Sequence, residues 1–202
     1  MLRKYWPVPV IAIAAVLVLV LIYFPLLQYP RAIKNDTATY VPRTVHYKVV
    51  VDKGIFQGES DFDGEVRRAL SDVRGWSKAG ITFTQVSAGP DLVYELTKGD
   101  VIKKTSPICD DFYNCTVNNR VYVNTERWKW GDGWPGEADE YHALIINHET
   151  GHYIGLNHWK CICMFEPAPV MMTHQDVGSF HWWRPNAWPT RQEVRAASTH
   201  IL

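Results

Sequence analysis

The longest apolar segment of the chain runs from Trp6 to Leu27, with prolines only near its two ends. A helix needs about 20 apolar residues to cross a bilayer, so this segment predicts a transmembrane helix. Arg3 and Lys4 precede it and favour a cytoplasmic N-terminus. No small-x-small cleavage site follows, which favours an uncleaved signal anchor over a removed signal peptide. Under either alternative, the rest of the chain lies outside the cytoplasm.

After this segment, short apolar stretches alternate with polar ones and predict one α+β domain. Residues 28–44 are polar and contain prolines, which indicates a stalk, and the folded domain is expected over residues 45–202. Strands are predicted where β-branched and other apolar residues lie between turn signals, at residues 45–52, 81–86, 91–96 and 121–124.

One helix is predicted between the first two strands. It begins after Ser60 or Asp61, either of which can cap it, and it ends near Arg74, just before Gly75. Four apolar residues repeat on one face of this helix: Val66, Ala69, Leu70 and Val73. We expect that face to pack on the sheet.

A second helix is predicted over residues 138–154, with His148 on its inner side. His148 and His152 are four residues apart, so their imidazoles lie on one face of the helix and can bind the same metal ion. Gly155 is expected to end the helix, because glycine enters left-handed backbone conformations at little steric cost. The chain can then turn back toward the same face.

That turn would bring His158 back as a third metal ligand, with Glu149 placed to take a proton from water at the metal. Catalytic zinc sites keep a position open beside three protein ligands, whereas structural zinc sites usually have four ligands and are rich in cysteine. The sequence therefore predicts one catalytic Zn²⁺ ion bound by His148, His152 and His158.

Composition narrows the range of partners. Lys plus Arg and Asp plus Glu each number 21, and no long basic run occurs, which argues against nucleic-acid binding. The length left after the N-terminal segment suits one domain with a single core, and we expect a monomer. All four cysteines follow that segment, which is compatible with disulfides in an oxidising compartment.

The segment HETGHYIGLNH, residues 148–158, has the pattern HExxHxxGxxH, and the chain thereby resembles the metzincin zinc metallopeptidases. This resemblance implies a zincin-like fold, in which a twisted mixed sheet lies against a backing helix and an active-site helix. It also implies a methionine turn below the metal, for which Met171 or Met172 lies at a suitable distance. The segment RVYVNTERW, residues 120–128, resembles the edge strand that precedes the active-site helix in that family.

A narrower resemblance covers roughly residues 45–189. The order RGW, a cysteine pair, RVYVNTERW, NHETGHYIGLNH, PAPVM and RPNAWP resembles an uncharacterised bacterial group of secreted metzincin-like domains of unknown function. The residue after the third histidine often marks the metzincin subfamily. Here it is Trp159, which assigns the chain to no well-studied branch and leaves its specificity open.

The cysteines form two close pairs in the sequence. Cys109 and Cys115 flank DDFYN and could close the tip of a hairpin, and the narrower resemblance also places a disulfide there. Cys161 and Cys163 are separated by one residue, so a bridge between them is feasible but strained. They could instead be reduced or bind an adventitious metal.

The resemblance implies a zinc-dependent endopeptidase in which Glu149 is the general base. Together with the N-terminal apolar segment, the sequence therefore predicts a membrane-anchored peptidase that acts outside the cytoplasm. An extended peptide would pair with the edge strand near residues 121–124. If Met172 is the turn methionine, His174 lies where some metzincins have a tyrosine that assists the oxyanion, although a surface or structural role is the alternative.

The sequence leaves two other functions open. One is a zinc-binding recognition module without catalysis, which would not need a general base such as Glu149 next to its metal. The other is a zinc hydrolase that acts on cell-wall peptide crosslinks. The sequence does not separate this second function from proteolysis, because the two differ only in substrate.

Overall fold

The computed structural model describes residues 41–55, 61–130, 134, 136–159, 167–172 and 186–201. Helices and strands combine in an α+β arrangement around a five-stranded sheet. In chain order, the strands are β1 Thr44–Val51, β2 Thr82–Gln85, β3 Leu92–Thr97, β4 Cys115–Val117 and β5 Arg120–Asn124. The helices of the described part are α1 Phe62–Ser71, α2 Gly99–Thr105, α3 Thr125–Trp130, α4 Ala138–Tyr153 and α5 Arg191–Ser198.

The sheet has the strand order β2-β1-β3-β5-β4. Strand β1 pairs in parallel with β2 and β3, and β3 pairs in parallel with β5, whereas β4 runs antiparallel to β5. Asn118 and Asn119 join β4 to β5 with φ of 52° and 57°, the left-handed conformation that a tight hairpin turn requires. The predicted mixed sheet is therefore confirmed.

The core lies between the sheet and the helices α1 and α4. In β3, alternate side chains point to opposite faces, and the buried apolar ones are Leu92, Tyr94 and Leu96. Helix α1 buries its predicted apolar face through Val66, Ala69 and Leu70, together with Phe62. These residues and the inner side of α4 belong to one hydrophobic cluster, which holds α4 at a fixed distance from the sheet.

The prediction that residues 120–128 form the edge strand is wrong. Strand β5 lies between β3 and β4, and residues 125–128 belong to α3. The edge on this side is β4, which precedes β5 in the chain but lies outside it in the sheet. Its three residues, Cys115–Val117, are too few to give a clear strand signal in the sequence.

Helix α1 is shorter than predicted and ends at Ser71 instead of near Arg74. Asp72 already has an extended backbone, with ψ of 133°, and its carboxylate accepts hydrogen bonds from the backbone N–H and the guanidinium of Arg74. This local contact competes with the next helical turn. As a result Val73, predicted on the buried face, is 79% exposed.

The chain joins the folded part before residue 45. Val41 is buried, and its N–H donates to the carbonyl oxygen of His200 at 3.0 Å. The predicted transmembrane helix and residues 28–40 of the predicted stalk lie outside the described residues. Within the part that is described, no helix is both long and apolar enough to cross a membrane.

Candidate metal centre

Helix α4 carries the predicted metal-binding motif, and the chain turns back after it as the sequence predicts. Gly155 has φ of 98°, a left-handed conformation that costs a glycine little. The N–H of Gly155 donates to the carbonyl oxygen of His152 at 3.0 Å, and the N–H of Leu156 donates to that of Gly151 at 2.9 Å. These bonds satisfy carbonyls at the helix end and direct the chain back to His158.

The structure brings the three predicted ligands together. The Nε2 atom of His158 lies 3.2 Å from Nε2 of His148 and 3.1 Å from Nε2 of His152. The three ring centroids are 4.7 to 5.2 Å apart. Three imidazole nitrogens of the same kind therefore converge on one point at the floor of a cleft.

The opposite nitrogens of two of these rings are bonded to backbone carbonyls. His148 Nδ1–H donates to the carbonyl oxygen of Val170 at 2.7 Å, and His152 Nδ1–H donates to that of Leu156 at 2.9 Å. Because Nδ1 carries the hydrogen in this arrangement, the Nε2 lone pairs remain available to a metal. Burial, followed by the charge of His152, lowers the pKa of His148 well below its usual range, which favours the neutral ring that metal binding requires.

This donor set fits a zinc ion. With zinc–nitrogen bonds of about 2.0–2.1 Å in tetrahedral geometry, neighbouring nitrogens would be roughly 3.3 Å apart. The separations of 3.1 and 3.2 Å differ from that value by a small amount. Among the described residues, His148, His152 and His158 form the only group of three or more side chains suited to metal binding.

Of the two candidate methionines, Met171 is the one that packs against α4 at the histidine motif. Its side chain is fully buried and lies against Gly151, between the two helical histidines in the sequence. A Cβ atom on Gly151 would lie 2.1 Å from Met171 Sδ, so only glycine leaves room for this methionine. Met172, the other candidate, lines the cleft above.

Glu149 is buried beside the histidines and is bonded to a residue that the sequence did not indicate. Thr116 Oγ1 lies 2.6 Å from Glu149 Oε2 and 3.1 Å from the Glu149 carbonyl oxygen, and both contacts have the geometry for the hydroxyl to donate. Thr116 belongs to the edge strand β4 and is 33 residues away in the chain. No motif marks such a contact, because it depends on how the sheet edge lies over α4.

The electrostatic environment of Glu149 has opposing contributions. Burial raises the pKa of its carboxyl group, while His152, the Thr116 hydrogen bond and Arg127 lower it in part. Arg127 is itself largely buried, and its guanidinium lies about 5 Å from the ring centres of Phe112 and Tyr113. A buried carboxylate with these neighbours is suited to holding and releasing a proton.

The predicted disulfide between Cys109 and Cys115 is present. It lies in the wall of a cleft of about 640 Å³, whose floor includes the three histidines and Glu149. Cys115 is the first residue of β4, so the bridge fixes the start of the edge strand next to Thr116. The other predicted site residues, Cys161, Cys163 and His174, lie outside the described residues.

A family model described as "Protein of unknown function (DUF3152)" matches residues 29–180, and no curated protein matches. Among solved structures, archaemetzincin from Methanopyrus kandleri is similar with 14% identity and a TM-score of 0.48, over 78% of this chain and 96% of that one. Myroilysin is similar with 16% identity and a TM-score of 0.38, over 83% and 72%. At these values, neither likeness assigns an activity to this chain.

Proposed function

The chain belongs to the DUF3152 family, whose description gives no function, and we propose that it is a zinc-dependent peptidase of the metzincin type. The observation that carries this proposal is the convergence of three imidazole nitrogens beside a buried glutamate, with Nε2 of His158 within 3.2 Å of Nε2 of both His148 and His152. A site that only binds metal has no need for a carboxylate in that position. The cleft above the histidines is large enough for several residues of a peptide.

The proposed metal is a single zinc ion held by His148, His152 and His158. When bound, zinc acts as a Lewis acid toward a carbonyl oxygen and lowers the pKa of a bound water. The protein holds the ligands in place through the carbonyls of Val170 and Leu156. Fixed ligand orientation of this kind supports metal affinity.

Glu149 is the general base in this mechanism. It accepts a proton from the attacking water and then donates that proton to the leaving amine. The hydroxyl of Thr116 binds Glu149 Oε2 and restricts the rotation of the carboxylate, which leaves Oε1 for proton transfer. Thr116 is thus a positioning residue for the base.

The peptide substrate is proposed to bind along β4 and not along residues 121–124. One side of β4 is paired with β5, and Cys115 and Thr116 line the cleft. An extended peptide that adds to this edge gains backbone hydrogen bonds with little dependence on sequence. Such binding would place a peptide carbonyl near the histidines.

The remaining parts of the proposal rest on the sequence. The apolar segment 6–27 would anchor the protein in the membrane with its N-terminus in the cytoplasm. The catalytic domain would act as a monomer outside the cytoplasm. In that compartment the Cys109–Cys115 disulfide is stable.

The test uses the full chain, purified in mild detergent and incubated with a peptide library and, separately, with purified cell-wall peptides. We expect cleavage that a chelator abolishes and zinc restores. Glu149→Gln should lower kcat about 1000-fold while it retains zinc, because a general base contributes about 10²–10⁴-fold. Glu140→Gln is the matched control, since it makes the same change at an exposed position of the same helix.

The result of this test also separates the alternatives. Cleavage that survives both the chelator and Glu149→Gln would contradict the mechanism. Zinc binding without cleavage of either substrate would indicate a recognition module. Cleavage of cell-wall peptides alone would indicate a hydrolase of peptide crosslinks.

A further inference from the structure

Glu193 is a buried carboxylate that the mechanism above does not use. It lies in the first turn of α5 and has no exposed surface. Its Oε1 atom accepts a hydrogen bond from the N–H of Met171 at 2.7 Å. Its Oε2 atom accepts from the N–H of Val170 at 3.2 Å and from the N–H and hydroxyl of Thr190 at 2.7 and 2.8 Å.

Two of these donors belong to the segment 167–172, which lies directly beneath the histidines. In the same segment, the carbonyl oxygen of Val170 accepts the hydrogen bond of His148 Nδ1. Met171, the residue that follows, fills the space left by Gly151 below the site. Glu193 therefore binds the N–H of the Val170–Met171 peptide group, whose carbonyl oxygen is bonded to His148.

The chemistry of a carboxylate suits this task. Burial raises the pKa of Glu193, and an ionised group without water needs hydrogen bonds to offset the loss of hydration. The two oxygens together accept four hydrogen bonds from two separate segments of chain. An amide could keep only one accepting oxygen, so its NH₂ group would face an N–H donor.

We propose that Glu193 is a positioning residue of the metal site, which fixes the segment 167–172 and thereby the orientation of the His148 imidazole. The inference rests on the proposed zinc site but not on peptidase activity. Partners behind the ligands of a metal commonly affect its affinity by about 10–100-fold when they are replaced. Glu193 does not bond to His148 itself but to the peptide group that does, so we expect a change in metal affinity near the lower end of this range.

Glu193 also completes a capping box with Thr190 at the start of α5. The experiment must distinguish this structural role from the proposed positioning of His148. Thr190→Val is the matched control. It removes the side-chain half of the capping box but leaves the carboxylate and both of its contacts with Val170 and Met171. A role limited to capping would affect metal affinity equally in both variants.

The experiment measures metal binding by the full chain in detergent. Zinc affinity is obtained by competition with a chromophoric chelator, and cobalt(II) is titrated for its visible absorption, which reports ligand geometry. Glu193→Gln should weaken zinc binding about 10-fold and change the cobalt spectrum. Thr190→Val should lower the stability of the metal-free protein but leave the zinc affinity and the cobalt spectrum as in the wild type.

Each outcome decides the proposal. Glu193→Gln with wild-type affinity and spectrum, or Thr190→Val with an equal loss, would overturn it. If Glu193→Gln does not fold, Glu193→Asp keeps the charge but shortens its reach, and its affinity should also fall. In the metal-free wild type, fast amide exchange at Val170 and Met171 would contradict the anchoring.

Failure of the peptidase proposal is recognisable separately. A wild-type chain that binds zinc but cleaves nothing leaves the role of Glu193 intact. A wild-type chain that binds neither zinc nor cobalt removes the metal site and this inference with it.

Discussion

His142 and His148 lie on different sides of α4, and comparing them shows what distinguishes a core histidine from a proposed metal ligand. The ring of His142 stacks on Trp128 at 3.6 Å, and its Nε2 lies 3.0 Å from the Trp128 carbonyl oxygen. In His148 it is Nδ1 that binds a backbone carbonyl, that of Val170, and Nε2 points to His158. Burial lowers the pKa of both rings. The two rings therefore differ in which nitrogen bonds to a backbone carbonyl, and only in His148 does this leave Nε2 directed at the proposed metal site.

The polar residues of the same helix follow this division. On the core side, Thr150 Oγ1 is 2.6 Å from the hydroxyl of Tyr94, and Asn147 Nδ2 donates to the Ala187 carbonyl oxygen at 2.8 Å. On the cleft side, Glu149 is bonded to Thr116 of the edge strand. Replacements on the core side should affect stability, whereas replacements on the cleft side should affect metal binding or catalysis.

The largest expected effect concerns the two histidines themselves. His148→Gln should weaken zinc binding about 1000-fold, or about 4 kcal/mol, because one of three ligands is lost. His142→Gln should leave zinc affinity unchanged while it lowers stability. Competition with a chromophoric chelator measures the zinc affinity of both variants. Equal zinc affinities of the two variants would remove the distinction between the faces.

Thr150→Val tests the core side. The valine has the same shape but leaves the buried hydroxyl of Tyr94 without this partner, and we expect the free energy of unfolding to fall by about 2 kcal/mol. Urea unfolding of the metal-free protein measures this change. The kcat of the folded variant should equal that of the wild type, and a large loss of kcat would show that this side is not merely structural.

Thr116→Val tests the cleft side with the same replacement. Loss of the hydroxyl should lower kcat about tenfold, or about 1.4 kcal/mol, with KM and zinc affinity unchanged, because only the orientation of Glu149 is affected. Thr116→Ser should restore most of kcat. Thr84→Val, an exposed position on the opposite edge strand β2, is the control. A loss of zinc affinity in Thr116→Val would indicate a structural role instead.

The smallest effect is a pH dependence of stability. Burial lowers the pKa of folded His142, with Glu65 and Asp139 opposing the shift and Arg68 adding to it. The unfolded chain therefore binds the proton first as pH falls below about 6.5, and the contribution of neutral His142 is lost below that value. From pH 7.5 to 5.5, the unfolding free energy of the wild type should fall by up to about 1 kcal/mol more than that of His142→Gln. Parallel pH profiles of the two proteins would contradict this assignment.

Local spacing explains why the clustering of the three histidines could be predicted from the sequence. Four of the five motif positions lie on one helix or its end, where the helical repeat and the left-handed Gly155 nearly fix the geometry. The choice between Met171 and Met172 could not be made in this way. It depends on the gap at Gly151, which exists only when the downstream segment packs under α4.

Contacts between residues distant in the chain could not be predicted from the sequence. Thr116 contacts Glu149, 33 residues away, and Glu193 contacts Met171, 22 residues away. No local sequence pattern encodes either contact. The prediction that β5 is the edge strand is wrong for a related reason, since chain order does not reveal the order of strands in a sheet. The short hairpin through Asn118 and Asn119 adds β4 outside it.

The sequence by itself determined the placement of His148, Glu149 and His152 on which the proposed chemistry rests, since their spacing on one helix depends only on backbone geometry. It also determined the reversal at Gly155, which rests on the conformational freedom of one residue. Only the tertiary structure decided which strand borders the cleft, which methionine packs against Gly151, and that Thr116 contacts Glu149 while Glu193 contacts the segment 167–172. These contacts join distant parts of the chain, and their geometry is set by how the sheet, α4 and α5 bury their apolar faces together.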